Sequence, residues 1–208
     1  MLGLHQILLD ENEIAKAANR PKITELKVSF SRDGFHWDRP YRDAFIPATR
    51  VPGSWDRGYV QSVGGICTVV GDQLRFYYIG FKGGDSSSYM HSNGATGMAT
   101  LRRDGFASMS TTGEGSLTTR PVKFSGKYMF VNVNCPAGEL KVEILDKNNK
   151  VIDGFSADKC KAVTIDSTIQ QVEWNGASDL SSLAGQEVRF RFKLKNGDLY
   201  AFWVSPST

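Results

Sequence analysis

Apolar and polar positions alternate with a period of two along most of this chain, in short bursts. Runs rich in Val, Ile, Phe, Tyr and Thr recur at 23–32, 59–70, 73–81, 96–102, 122–124, 128–135, 139–146, 150–155, 161–166, 170–174, 187–195 and 198–204. Gly, Asp and Asn bound them, so each burst predicts a β-strand closed by a tight turn. Only the first twenty residues read as helix, and that pattern is short and uncapped. A dozen candidate strands with hardly a helix predict an all-β protein.

The two halves differ in texture. In VRFRFKLK, Val188, Phe190, Phe192 and Leu194 face one way, while Arg189, Arg191, Lys193 and Lys195 face the other. Asn196-Gly197 then predicts a two-residue type I′ hairpin, with Lys193 opposite Tyr200 and Arg191 opposite Phe202. Lys141 and Glu143 also project outward, where cross-strand ion pairs use some of the charge. From about Thr119 onward the pattern predicts an antiparallel β-sandwich over 119–208, preceded by a separate β region over 1–118. That first region carries a partial repeat: FSRDGFHW and LRRDGFAS share RDGF, an Asp-Gly turn signal read as two copies of one β unit. Its longest irregular stretch is GFKGGDSSSYMHSNGATG, 80–97, which is too rich in Gly and Ser to form core.

Composition narrows the classes. No apolar run approaches the roughly 18 residues of a membrane span. With 25 basic and 22 acidic side chains the net charge is +3, and no basic stripe suggests nucleic acid. Cys67, Cys135 and Cys160 stand far apart without a CxxC pair, which favours buried free thiols over a Cys135–Cys160 bridge. His5, His36 and His91 are scattered, so no metal-ligand set or cofactor is expected; a structural Ca²⁺ held by carbonyls stays open. The start, MLGLHQILLDENE, is a poor signal peptide, and the compartment is left open.

The succession VSFSRDGFHWDRP, PGSWDRGYVQS, GDQLRFYYIGF, TGMATLRRDGFASM and EGSLTTRPVKF resembles the last part of a five-bladed β-propeller glycoside hydrolase. The relatives are the β-fructosidase and arabinanase-like enzymes, and more closely uncharacterised bacterial cousins with a C-terminal β-sandwich. FVNVNCPAGELKVEILDKNNKVIDGFSADKC and the DLYAFW end resemble that sandwich. The resemblance implies partial propeller blades, about one and a half, then the sandwich, with carbohydrate as the partner. It implies that the family's catalytic carboxylates lie on earlier blades, which this chain lacks, and that complete relatives are exported. Unpaired blade edges imply a homo-oligomer.

Within that frame GSWDRGYVQ is the best candidate site. Trp55 stacks on a sugar ring, Asp56 and Arg57 hydrogen-bond hydroxyls, and Tyr59 and Gln61 point the same way by the two-residue period. The long loop adds Asp85, Tyr89 and His91 on the same face as Asp56, and polar residues from two segments converging on one face are what a glycan site needs. Glycoside hydrolysis needs two carboxylates about 5 to 10 Å apart, and Asp56 with Asp85 is the pair to test, with Glu114 more distant. In the competing account Trp55 packs and Asp56 caps a turn. A non-catalytic glycan-binding or oligomerisation module is therefore the alternative to an enzyme. An esterase built on the GDS of 84–86 and the Asp33–His36 spacing is a remote third, because the order of its parts is reversed and no G-x-S-x-G elbow is present.

Overall fold

Strand pairing, rather than helix propensity, decides the fate of the N-terminus. A computed structural model, which describes residues 1–9, 12–64, 67–84 and 90–208, makes Leu2–Leu8 a strand (β1) and leaves a helix (α1) only at Asn12–Ala17. β1 pairs along its whole length with β2 (Thr24–Ser31), from Leu2↔Phe30 to Leu8↔Thr24. A mixed stretch of seven residues, LGLHQIL, fits either period, and a partner strand settles it. The described residues are otherwise all-β, in antiparallel sheets of which none closes into a barrel. No helix among them is long and apolar enough to cross a membrane.

The chain divides into two units, Met1–Leu101 and Arg102–Thr208. In the first, β1, β2 and β3 (Trp37–Asp38) form one small sheet, and β4 (Tyr59–Ser62), β5 (Thr68–Val70), β6 (Gln73–Phe81) and β7 (Gly94–Arg102) form another. β4 pairs with the end of β6 and β5 with its beginning. Along β6 the residues Leu74, Phe76, Tyr78 and Gly80 are buried, so one sheet face, which Val60 of β4 shares, is turned inward. Thr24 joins the two sheets with its side chain. Its hydroxyl accepts from the Val60 N–H (2.8 Å) and from Gln6 Nε2 (3.0 Å), and donates to the Val60 carbonyl (3.0 Å).

The division falls well before residue 118, where the sequence placed it. The strand at Met109–Thr118 (β8) pairs with β12 (Arg189–Ser205) and so belongs to the second unit. The other strands there are β9 (Tyr128–Asn134), β10 (Glu139–Leu145) and β11 (Asp166–Val172). β12 is one strand of 17 residues, not a hairpin: its first part pairs with β10 and its last part with β9. A type I′ turn needs positive φ at both central residues, and here only Asn196 has it (φ 45°). The result is a bulge that lets the strand run on. A second irregularity falls between Leu199 and Ala201. The inward set consequently slips phase twice, from Phe190, Phe192 and Leu194 to Leu199 and then to Phe202 and Val204.

That core also takes in Met129, Leu140 and Ile144 from the sheet, and Phe155, Cys160 and Trp174 from the segments that cover it. Trp174 Nε1 donates to the Val142 carbonyl at 2.8 Å, which satisfies the one polar atom of a buried indole. All three cysteines are free, with Cys135 and Cys160 buried, and burial pushes both of those thiols above their ordinary pKa. The two RDGF segments do not fold alike. In the first, Gly34 takes the left-handed backbone (φ 81°) between β2 and β3; in the second, Asp104 does (φ 53°), and β7 and β8 do not pair.

Candidate functional site

The residues of GSWDRGYVQ lie at one end of the second sheet of the first unit. Their loop doubles back on itself, since Thr49 N–H donates to the Asp56 carbonyl (3.2 Å) and Arg50 N–H to that of Arg57 (3.1 Å). Gly58 N–H then donates to Phe81 O (3.2 Å), and β4 begins opposite the end of β6. The segment that follows β6 returns to the same end, where Lys82 and Gly83 N–H groups donate to Asn93 and Ser92 carbonyls.

Asp56 is 6% exposed, and its carboxylate is engaged within the loop. Oδ1 accepts from Ser54 Oγ at 2.5 Å and from Thr49 Oγ1 at 2.9 Å. Two hydroxyl donors on a buried carboxylate compensate its lost hydration, and this is a structural use of the group. Burial, and then the charge of Asp56, push the neighbouring Tyr78 phenol above its ordinary pKa.

Trp55 remains 38% exposed. Its indole lies tilted at 30° to Tyr78, centroids 5.6 Å apart, over two strand glycines. A Cβ at Gly80 would stand 2.6 Å from Trp55 Cζ3, and one at Gly97 would meet Cη2 of the same ring. Glycine at both positions is what allows the ring to lie down on the backbone of β6 and β7. The sequence carries a signal for this arrangement in the lone glycines inside the strand patterns of 73–81 and 96–102.

The remaining candidates do not join Trp55. Cross-strand partners share a face, and Tyr59 is opposite Phe81 while Val60 is opposite Gly80. Tyr59, Gln61 and Phe81 therefore lie on the face opposite to Trp55 and Gly80. His91 goes with them, its ring 4.4 Å from Tyr59 and 5.4 Å from Phe81, both edge to face. Tyr59 Oη donates to Gln6 Oε1 at 3.3 Å. Arg57 is half-buried. The loop thus converges on one end of the sheet, but its side chains separate across the two faces. Asp85, Tyr89 and Ser86 lie outside the described residues.

Elsewhere the candidate groups pair internally. His36 Nδ1 stands 2.6 Å from Asp33 Oδ2, and that contact, with backbone donors from His36 and Phe35, holds the Asp33 carboxyl far below the usual range. In the second unit Glu143 is buried and takes Arg191 at 2.8 Å and Lys193 at 3.2 Å, the cross-strand pairing that the charge pattern suggested. Glu114 belongs to that unit too, opposite Lys195. Phe202, expected outside opposite Arg191, packs inward on Phe190 and Phe192 because of the phase slips in β12. Tyr200 instead lies under the Arg102 guanidinium, 4.9 Å from ring centroid to Cζ. Among the described residues no three His, Cys, Asp or Glu side chains gather as a metal site would require.

No family model, no curated protein and no solved structure matches the chain.

Proposed function

We propose that this chain is a non-catalytic carbohydrate-binding protein related to the propeller glycoside hydrolases, with Trp55 as its sugar-stacking residue. One observation carries the reading: beside an exposed indole laid on Gly80 and Gly97, the adjacent carboxylate, Asp56, is buried and committed to Thr49 and Ser54. A rigid aromatic face suits the C–H face of a pyranose. A lone carboxylate already satisfied by hydroxyls does not suit glycoside hydrolysis, which uses two. The family resemblance of the motifs around Trp55 supports the choice of carbohydrate.

The test is affinity electrophoresis of the full chain through gels containing plant and microbial polysaccharides, with reducing-end release assayed in parallel. Retardation by one of them is expected. Trp55→Ala weakens it at least tenfold, Asp56→Asn leaves it within a few-fold, and no reducing ends appear. Release that Asp56→Asn abolishes would overturn the reading in favour of an enzyme. We extend the proposal to a homo-oligomer, because β6 is the one strand partner of β7 among the described residues and an open edge takes a further strand. Light scattering should return a multiple of 23.0 kDa at micromolar protein, and a monomer mass would remove this part.

A further inference from the structure

A second tryptophan in the first unit repeats the flat arrangement in different company. Trp37, on β3, is 45% exposed and lies across β1 at Gly3. A Cβ at Gly3 would stand 2.7 Å from Trp37 Cζ3 and 2.8 Å from Ser29 Oγ, so any larger residue would lift the ring. Trp37 Nε1 donates to the Gly34 carbonyl at 3.0 Å, which sets the orientation of the indole.

Further along the face on which Trp37 lies come basic side chains, with one carboxylate, Glu25, two residues beyond Lys27 and held by Arg50. Gly3 is opposite Ser29 and His5 is opposite Lys27, two residues further along the same strands, so all four share one face. Arg39 Nη1 donates to His5 Nε2 at 3.4 Å, and His5 Nδ1 lies 3.5 Å from Ser29 Oγ. Lys27 Nζ donates to the Arg42 carbonyl. Among the described residues neither Arg39 nor Lys27 has a carboxylate within ion-pair distance, whereas Arg50 in the same unit is held by Glu25. Burial first, then the charges of Arg39 and Lys27, hold the His5 pKa below its ordinary value.

We propose that this face is a subsite for an anionic sugar, its ring on Trp37 and its carboxylate or sulfate ester among Arg39, Lys27 and His5. The inference rests on the carbohydrate reading and adds to it the charge of the ligand. An arginine without a carboxylate partner offers a planar fork to an oxyanion. Lys27 supplies a second charge, and the indole supplies the apolar contact that distinguishes a sugar ring from a free ion.

The experiment is affinity electrophoresis of the full chain in polygalacturonate (carboxylate), dextran sulfate (sulfate ester) and the neutral polysaccharide retained through Trp55. Retardation is expected in at least one of the anionic gels, and which one identifies the group. Arg39→Gln and Trp37→Ala each weaken it at least tenfold, whereas Trp55→Ala abolishes only the neutral retardation. Should Trp37→Ala misfold, Arg39→Gln, which keeps the stem of a half-buried side chain and removes its charge, carries the test. Anionic retardation that survives Arg39→Gln would mean diffuse charge attraction and overturn the proposal. Neutral retardation with empty anionic gels removes this subsite alone, and no retardation in any gel removes the carbohydrate reading with it.

Discussion

The two units solve the same problem, covering one face of an antiparallel sheet, with different materials. The second unit gathers its apolar side chains into a continuous core around Phe190, Phe192, Leu140 and Met129, and buries only two polar or charged residues, Asn132 and Glu143. Among the described residues of the first unit five are buried, Thr24, Glu25, Ser29, Ser31 and Asp56, and its apolar core around Leu26, Val60, Leu74 and Phe76 is smaller. It therefore relies on hydrogen bonds made by side chains where the second relies on packing. Each satisfied buried hydrogen bond contributes about 1 kcal/mol net, yet leaving one partner orphaned costs more.

The largest effect that would sharpen the contrast is at Phe192, 1% exposed and 4.9 Å from Phe202. Phe192→Ala should cost about 3–5 kcal/mol, the usual toll of emptying a buried aromatic site. The loss should fall on the second unit. Thermal unfolding followed by tryptophan fluorescence should separate into two steps, because Trp174 lies in the damaged core while Trp37 and Trp55 lie in the first unit. A single transition displaced as a whole would show that the units unfold together, and the comparison between them would lose its thermodynamic meaning.

Legibility in the sequence follows the same division of materials. A strand that buries one face, such as β6, announces itself by alternation. β8 does not: its run MSTTGEGSLT is exposed on nearly every residue, and it is a strand because β12 offers it an edge. β1 was hidden because seven residues with a partner sixteen or more positions downstream carry no local period that distinguishes strand from helix. Asn196-Gly197 has the composition of a hairpin, but a turn and a bulge differ by the φ of one residue, which composition does not encode. At the site, 53–58 and the segment after β6 share one end of the sheet, but His91 goes to the face opposite Trp55 and not to the shared face expected of it. The face taken by each side chain depends on the irregular entry into β4, and there the two-residue period has no starting phase.

A smaller effect tests whether the first unit really depends on polar contacts. Thr24 is 2% exposed, and its hydroxyl serves both the N–H and the carbonyl of Val60, itself fully buried in β4. Thr24→Val keeps the shape and removes the hydroxyl, so the Val60 N–H loses its acceptor and Gln6 Nε2 keeps only the Val60 carbonyl, at 3.1 Å. An orphaned buried donor costs about 1–3 kcal/mol. Thr24→Ser restores the oxygen and should recover most of that loss, leaving only the missing methyl, on the order of 1 kcal/mol or less. Hydrogen exchange at the Val60 amide is the sharpest readout: protection should fall in Thr24→Val, return in Thr24→Ser, and stay unchanged at Val131 in the second unit. If Thr24→Val is as protected as the parent, the hydroxyl is dispensable. The first unit would then be held by its small apolar core, as the second is by its large one.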